Sequence, residues 1–223
     1  MKRLIGTIIA LFAFLTIAFV SEVNKKNAEK KTPTVGILQT MSHPALDQIH
    51  RGIIQGLKDE GYIEGKNLKI DFQNAQGDQS NLKSMSDRFS QENATVTIGI
   101  ATPAVQSLAN TSGNIPVVMG AVSDPLGAHL VKSLAHPGGK ITGVQDRQPI
   151  ARQLALMQEI LPKAKSIGVI YTSSDDSSAS EYREFRRLAE AKGLKVIPYT
   201  ITSTNDIEQV AQTMVGKVQA VYV

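Results

Sequence analysis

Hydroxyl and carboxylate side chains recur where apolar, strand-like segments end and helical patterns begin. Five such segments lie at residues 39–43, 101–103, 123–125, 145–147 and 172–176. In parallel α/β sheets these loops meet at the carboxyl edge of the strands, where ligands bind. Their residue types suit a zwitterion, because hydroxyls and the N–H groups of helix N-termini hold a carboxylate. An Asp holds an ammonium through a charge-assisted hydrogen bond.

Helix capping is the alternative interpretation of the same residues. Ser42, Thr102, Ser123 and Asp124 each precede a helical pattern, and Ser, Thr and Asp are preferred at helix N-caps. Loops from strand to helix favour such residues whatever the function. Both interpretations stay open for each position, although five loops with the same residue types together favour a binding site.

Patterns for catalysis and metal binding are scarce in this chain. It has no Cys and four His residues, and no His stands at metal-ligand spacing from carboxylates. The dinucleotide fingerprint, the P-loop and the G-x-S-x-G nucleophile elbow do not occur. His43 with Asp124 or Asp146 is the one base arrangement that can be constructed, and no nucleophile accompanies it. We therefore predict no catalytic residue, no metal and no cofactor.

The formal net charge of +4 is concentrated at the N-terminus. Residues 1–31 contain six basic and two acidic side chains, whereas residues 32–223 contain 18 of each. Residues 32–223 are therefore neutral overall, and their composition gives no reason to expect a basic surface that binds nucleic acid. We expect no nucleic-acid partner.

The N-terminal segment has the pattern of an export signal. Lys2 and Arg3 precede an uncharged apolar run over residues 4–20, as in the n-region and h-region of a signal peptide. Because Phe19 spoils the cleavage site, we favour an uncleaved membrane anchor over a cleaved secretory signal. Residues 21–33 are polar and charged and predict a flexible tether. Both alternatives place the folded part outside the cell membrane, anchored to it or secreted.

Strand-like and helical patterns alternate from residue 34 onwards. Continuous apolar strands that alternate with amphipathic helices imply parallel sheets covered by helices on both faces. The first part has predicted strands at residues 34–39, 68–72, 95–100, 116–119 and 141–144, and predicted helices at 44–60, 82–89, 103–110 and 124–135. The second part has predicted strands at 167–171, 194–199 and 218–223, and predicted helices at 150–161, 179–192 and 205–216.

These patterns predict two α/β domains. The first lobe extends over residues 34–146 and the second lobe over residues 147–223, with the boundary near residues 146–149. Three strands are few for an independent domain. The small second lobe therefore indicates that the chain is a fragment of a longer protein.

Several segments resemble one known family. The most specific are PVVMGAVSDPLGAHLV (116–131) and HPGGKITGV (136–144). The others are ATPAVQSLA (101–109), GIIQGLKDEGYIEGKNLKI (52–70), NAQGDQSNLKSM (74–85), IGVIYTSSDDSS (167–178) and STNDIEQV (203–210). Over nearly all of residues 34–223 the chain resembles ABC-transporter substrate-binding proteins of the tryptophan or aromatic amino-acid type.

The resemblance implies a type I periplasmic-binding-protein fold. In that fold two doubly wound, Rossmann-like lobes close on a small ligand, and the closed form docks on an ABC permease in the membrane. The implied ligand is an amino acid, with tryptophan or another aromatic amino acid favoured. We expect the protein to be a monomer, and we expect it to bind its ligand without being an enzyme. By position, the implied ligand-binding residues are Ser42, His43, Thr102, Pro103, Ser123, Asp124, Asp146, Ser173 and Ser174.

This chain departs from the family pattern in two ways. Family members are longer and continue past a strand like QAVYV, so we expect a truncated second lobe. Many relatives carry a lipoprotein Cys, which is absent here and which an uncleaved anchor would replace. The alternative functions are an exported α/β enzyme that acts on a small molecule and a truncated binding protein without function. A transcription regulator is disfavoured, because an export segment stands where a DNA-binding helix-turn-helix would lie.

Overall fold

Two parallel β-sheets, one after the other along the chain, organise the molecule. The computed structural model of the chain describes Thr16 and residues 32–223. The predicted signal peptide or anchor over residues 1–20 lies outside the described residues except for Thr16, and so does the predicted tether before residue 32. Among the described residues, no helix is both long enough and apolar enough to cross a membrane.

The first lobe is built on a five-stranded sheet. Its elements are β1 (Thr34–Gln39), α1 (Pro44–Asp59), β2 (Lys69–Asn74), α2 (Gln79–Gln91), β3 (Val96–Ile100), α3 (Thr102–Thr111), β4 (Val117–Val122) and β5 (Ile141–Gln145). The strand order is β2-β1-β3-β4-β5, and every neighbouring pair is parallel. This is the sheet that the alternating pattern predicts.

The second lobe is built on a three-stranded sheet. Its elements are α4 (Ile150–Ile160), β6 (Ser166–Thr172), α5 (Asp176–Glu190), β7 (Lys195–Ile201), a short 3-10 turn (Thr204–Asp206), α6 (Ile207–Met214) and β8 (Ala220–Tyr222). The strand order is β7-β6-β8, again with parallel pairs. β6 is the central strand and pairs with both β7 and β8.

Helices cover both faces of the first sheet because the side chains of its strands alternate. On one face, Ile37 of β1 packs in a cluster with Ile49 and Ile53 of α1. On the other face, neighbouring Leu38 packs in a cluster with Phe89 of α2 and with α3. The second sheet is covered in the same way, by α4 and α5 on one face and by α6 on the other.

Two glycines allow helices to approach the first sheet closely. A Cβ on Gly36 of β1 would lie 2.8 Å from the ring of Phe89. A Cβ on Gly99 of β3 would lie 2.6 Å from the side chain of Val105 in α3 and 2.8 Å from its backbone nitrogen. The start of α3 is thereby held directly against the end of β3.

The predicted helix over residues 124–135 is wrong, because the segment forms a single turn followed by loop. Asp124 Oδ1 accepts a hydrogen bond from Gly127 N at 2.9 Å, and Leu130 N donates to Pro125 O at 3.0 Å. His129 has φ +56°, a left-handed conformation that ends a helix after its last residue. The remaining predicted helices and strands are present, with ends that shift by a few residues.

Candidate functional site

The carboxyl ends of both sheets open onto a cleft of about 410 Å³. Its walls are the loops after β1, β2 and β3 of the first lobe and after β6 and β7 of the second. Parallel sheets bind ligands at this edge, and small-molecule sites usually measure about 300–1,000 Å³. The lining residues are Thr40, Met41, Ser42, Leu46, Gln76, Gly77, Gln79, Ala101, Pro103, Thr172, Ser174, Asp175, Thr202, Ser203 and Asn205.

Buried Gln39, at the end of β1, holds the loop that carries Ser42. Its Nε2 donates to a carbonyl oxygen of that loop at 2.8 Å and to Asp47 Oδ1 of α1 at 2.7 Å. Ser42 Oγ accepts from Asn74 Nδ2 at 3.1 Å and from Gln76 Nε2 at 3.4 Å. Both bonds use lone pairs of Ser42 Oγ, so its hydroxyl hydrogen remains available to a ligand.

Backbone strain marks the point where α3 begins at the cleft. Ala101 precedes the helix with φ 71° and ψ 160°, a combination that is almost confined to glycine. Ala101 N donates to Gly120 O at 3.0 Å, and Ala104 N donates to Thr40 Oγ1 at 3.2 Å. These bonds hold the loop against the ends of β1 and β4 despite the strain.

Two aspartates shape the wall that the second lobe contributes. Asp175 is the N-cap of α5, and its Oδ1 accepts from two backbone N–H groups of the first turn at 2.9 and 3.2 Å. Asp206 Oδ2 accepts from Thr202 N at 3.1 Å and from Ser203 N at 3.0 Å. The loops after β6 and β7 are therefore each closed on a carboxylate.

Side-chain contacts join the two lobes beside the cleft. Thr102 Oγ1 of α3 donates to Ser177 Oγ of α5 at 2.9 Å, and both side chains are buried. Ser180 Oγ of α5 donates to Asp124 Oδ2, which follows β4, at 2.6 Å. A further contact between the lobes runs from Gln106 Nε2 to Asp176 Oδ2 at 2.8 Å. The N-terminal half of α5 thus rests on α3 and on the loop after β4 of the first lobe.

Carboxylates crowd this interface. Burial raises the pKa of Glu181 to about 7, and the charges of Asp175, Asp124 and Asp146 raise it further, while a hydrogen bond from Ser123 opposes the shift. Its Oε1 is buried and accepts no hydrogen bond from the described residues. Glu181 is therefore partly protonated near neutral pH while the lobes are in contact.

Asp124 behaves differently although it lies in the same interface. Burial raises its pKa, but the hydrogen bond from Ser180 and those from the backbone of Gly127 and Leu126 outweigh that effect. The pKa of Asp124 consequently lies below its ordinary value. Asp124 is a carboxylate whose two oxygens both have partners within the protein.

Three of the predicted ligand-binding residues line the cleft, namely Ser42, Pro103 and Ser174. Ser173 is exposed. The predicted cap at Ser42 is wrong, because His43 is the N-cap of α1 and its Nδ1 accepts from the backbone N–H of the second residue of the helix at 3.3 Å.

The other predicted residues lie elsewhere. Thr102 and Asp124 take part in the contacts between lobes, and Ser123 lies beside Glu181. Asp146 lines a separate groove of about 570 Å³ between α1 and the ends of β4 and β5. Within Thr16 and residues 32–223, no group of three His, Asp or Glu residues could hold a metal ion. The nine predicted ligand contacts stay predictions.

Sequence reasoning missed the loops after β2 and β7. These loops contribute Gln76, Gln79, Thr202 and Asn205 to the cleft. The rule that ligands bind beyond the carboxyl ends of strands applies to them as it does to the other loops. The apolar patterns of both strands are visible in the sequence, so the carboxyl ends of β2 and β7 are signals that point to these residues.

Comparison with known proteins agrees with this architecture. Residues 34–223 match the family of ABC transporter substrate binding proteins. A tyrosine-binding protein of Clostridioides difficile (strain R20291) is 38% identical to this chain over 203 residues, which are 91% of this chain and 59% of that protein.

The chain is similar to several solved structures, of which two serve as examples. One is an ABC domain from Streptococcus pneumonia in complex with L-Trp, with 43% identity, a TM-score of 0.81, and coverage of 86% of this chain and 64% of that chain. The other is a substrate-binding protein with adhesive properties from Clostridium difficile in its ligand-free, open structure. It shows 36% identity, a TM-score of 0.60, and coverage of 86% of this chain and 65% of that chain.

The chain spans less than two thirds of the length of each of these three proteins. The two parallel-sheet lobes and these neighbours confirm the type I periplasmic-binding-protein fold. The family match over residues 34–223 likewise confirms the resemblance found in the sequence. The chain belongs to the ABC transporter substrate-binding protein family.

Proposed function

We propose that this chain forms the ligand-binding part of an extracytoplasmic component of an ABC importer, and that it binds an aromatic amino acid between its lobes. The observation that carries the proposal is the cleft of about 410 Å³ between the carboxyl ends of both sheets. The relatives support an amino acid ligand, since one is a tyrosine-binding protein and another was solved in complex with L-Trp.

The residues lining the cleft suit such a ligand. Hydroxyls and amides on both walls, such as Ser42, Gln76, Ser174 and Asn205, can donate to the ligand's carboxylate. Apolar contact comes from Met41, Leu46, Ala101 and Pro103. No aromatic residue stands among the described lining residues, so shape and aliphatic contact would select the ligand's side chain.

The arrangement of the lobes supports ligand-dependent closure. The lobes are in contact through Thr102 with Ser177 and through Asp124 with Ser180. The TM-score to the L-Trp complex is 0.81, whereas that to the ligand-free, open structure is 0.60. We infer that the described arrangement corresponds to the closed form, which would dock on a permease in the membrane.

We favour binding without catalysis. An enzyme would need a base beside a nucleophile, and His43 was the candidate base. Its Nδ1 caps α1 instead, while Asp124 is held by Gly127 and Ser180. Asp146 lines a different groove, and this separation of the three residues supports binding rather than catalysis.

An export signal over residues 1–20 would place the binding lobes outside the cell membrane. We propose that the segment delivers the chain there, either as an uncleaved anchor or as a cleaved signal. Fractionation of cells that express the chain, with and without residues 1–20, tests this step. Retention in the cytoplasm of both forms contradicts it.

Thermal unfolding of the chain with each of the twenty amino acids tests the ligand class. A ligand at 100 times its Kd stabilises a folded protein by about 2.7 kcal/mol, which for a chain of this size raises the Tm by about 5–10 °C. We expect such shifts for tryptophan, tyrosine or phenylalanine. No shift with any amino acid contradicts the proposal, and conversion of the added ligand in mass spectrometry favours the enzyme alternative.

A further inference from the structure

We propose that Asp175 is the residue that binds the ligand's ammonium group, so that the cleft selects ligands with a primary amine. The inference rests on the proposed function and deepens it, because it names the chemical group that the site requires. It also gives this role to a carboxylate other than Asp124 and Asp146, the two aspartates among the predicted ligand-binding residues.

The first observation is the charge of the cleft. Among the described residues that line it, Asp175 alone carries a formal charge, and none is Lys, Arg or His. A ligand with only a carboxylate would therefore meet a negative wall without a compensating cation. A zwitterion whose ammonium faces Asp175 removes that repulsion and gains a charge-assisted hydrogen bond.

The second observation is the free oxygen of Asp175. Its Oδ1 accepts from Ser177 N at 2.9 Å and from Ser178 N at 3.2 Å. Its Oδ2 accepts no hydrogen bond from the described part of the chain. In Asp124, by contrast, Gly127 N bonds to Oδ1 and Ser180 Oγ bonds to Oδ2. Asp175 can thus take a new donor without breaking an existing bond.

The third observation is a contrast with Asp78, the N-cap of α2. Asp78 Oδ1 accepts from Ser80 N at 2.7 Å and from Asn81 N at 3.0 Å, which is the same capping arrangement. Hydrogen bonds lower the pKa of Asp78, first from the Ser80 side chain and then from the backbone. Burial raises the pKa of Asp175 although it accepts similar bonds. Asp175 is therefore a desolvated carboxylate with no Lys, Arg or His among the described residues that line the cleft. An ammonium group bound in the cleft supplies the missing positive charge.

The chain offers a matched pair of variants for the test. Asn is as good an N-cap as Asp, so Asp175→Asn removes the charge of the cleft residue and keeps α5 capped. Asp78→Asn makes the same change at the cap of α2. Circular dichroism and the Tm check that both variants fold, and Asp175→Ser, another capping residue, serves if Asp175→Asn does not fold.

Calorimetric titration with L-tryptophan, tryptamine and indole-3-propionate measures the effect. We expect Asp175→Asn to lower the affinities for L-tryptophan and tryptamine by about 10- to 100-fold, which is the effect of losing a hydrogen bond to a charged group. Asp78→Asn should bind both as the unmodified chain does. In the unmodified chain indole-3-propionate should bind at least about 10-fold more weakly than L-tryptophan, and Asp175→Asn should not weaken it further.

The possible failures are distinguishable. If the unmodified chain binds no aromatic amino acid, the proposed function is overturned together with this inference. If it binds L-tryptophan and Asp175→Asn binds it equally well, only the assignment of Asp175 is overturned. An equal loss in Asp175→Asn and Asp78→Asn also overturns it, because the effect then follows from helix capping rather than from charge in the cleft.

Discussion

Thr102 Oγ1 and Ser177 Oγ lie 2.9 Å apart in a buried contact between residues that are 75 positions apart in the chain and belong to different lobes. Thr102 is the first residue of α3 and Ser177 the second of α5, so two helix N-termini meet at this point. Each carries partial positive charge. The carboxylates of Asp124, Asp175 and Asp176, which stand beside these termini, offset that charge.

Removing this contact should weaken ligand binding more than it weakens the fold of either lobe. In Ser177→Ala the buried Thr102 hydroxyl loses its partner, which costs about 1–3 kcal/mol. In the proposed opening and closing of the lobes, water reaches the hydroxyl only in the open form, so the closed form should become rarer. We expect an affinity for L-tryptophan about 10-fold lower, where about 1.4 kcal/mol corresponds to tenfold, in calorimetric titration.

The control for this prediction lies within the first lobe. Ser86 Oγ, also buried, donates to Ser107 Oγ at 2.8 Å between α2 and α3. Ser86→Ala should lower the free energy of unfolding and leave the affinity unchanged. Equal losses of affinity in both variants contradict a role for the contact between Thr102 and Ser177 in closure.

Glu181→Gln should stabilise the chain at alkaline pH. The pKa of Glu181 is raised from 4.5 to about 7 in the folded chain. A raised acid pKa means that the folded state binds the proton more tightly than the unfolded state. The free energy of unfolding contributed by this group therefore falls as the pH rises from about 4.5 to about 7 and stays low above that.

Urea unfolding between pH 4 and pH 8 measures this effect. One pKa unit corresponds to about 1.4 kcal/mol, and the partial exposure of Glu181 reduces the effect. We therefore expect the free energy of unfolding of Glu181→Gln at pH 8 to exceed that of the unmodified chain by about 1–2 kcal/mol. At pH 4 the variant should match the unmodified chain. Glu190→Gln, on the same helix and exposed, is the control. Parallel pH profiles for Glu181→Gln and the unmodified chain would sink the prediction.

Ala101→Gly should stabilise the fold at the edge of the cleft. Its φ of 71° and ψ of 160° cost a residue with a Cβ about 1–3 kcal/mol. Glycine avoids this strain, but its more flexible unfolded chain lowers the free energy of unfolding by about 0.5–1 kcal/mol. We expect a net gain of about 1 kcal/mol in thermal or urea unfolding. Ala104→Gly, inside α3, should lose about 1 kcal/mol. A loss in both variants means that Ala101 is not strained.

Gly99→Ala should destabilise the first lobe. The added Cβ would lie 2.6 Å from Val105 Cγ2 and 2.8 Å from Val105 N, and backbone cannot yield as a flexible side chain can. Overpacking of this kind typically costs about 1–3 kcal/mol. Gly56→Ala is the matched control, because no atom lies within 4 Å of its added Cβ. That variant should gain about 0.5–1 kcal/mol in the interior of α1, so equal effects of the two changes contradict the close packing of α3.

Much of the fold could be predicted from periodicity. The apolar runs of β1, β3 and β6 and the amphipathic spacing of α1 identify parallel strands and covering helices, because both patterns follow from local geometry. The failure at residues 124–135 has an equally local cause. Leu126, Leu130 and Val131 fit a helical spacing, but the left-handed His129 and the bonds of Asp124 stop the chain after one turn.

The candidate site was predicted only in part. Ser42, Pro103 and Ser174 were placed at the cleft because each follows a strand of a parallel sheet. The same argument could not separate Ser174, which lines the cleft, from its neighbour Ser173, which does not, although both are exposed. Nor could the argument from strand ends show that the Thr102 side chain donates a hydrogen bond to Ser177 of the other lobe. These outcomes depend on which way a side chain faces and on which loop of the other lobe lies opposite.

The sequence by itself determined the family, the parallel α/β architecture and the neutral charge of the part after residue 31, because these follow from residue order and composition alone. Only the tertiary structure decided which of two carboxylates lines the cleft and which one is bonded to the other lobe. Asp124 and Asp175 both follow strands and both accept backbone N–H groups. Asp124 meets Ser180 of the other lobe, whereas Asp175 lines the cleft. The environment that sets each pKa is assembled from distant segments, so no local pattern could distinguish the two.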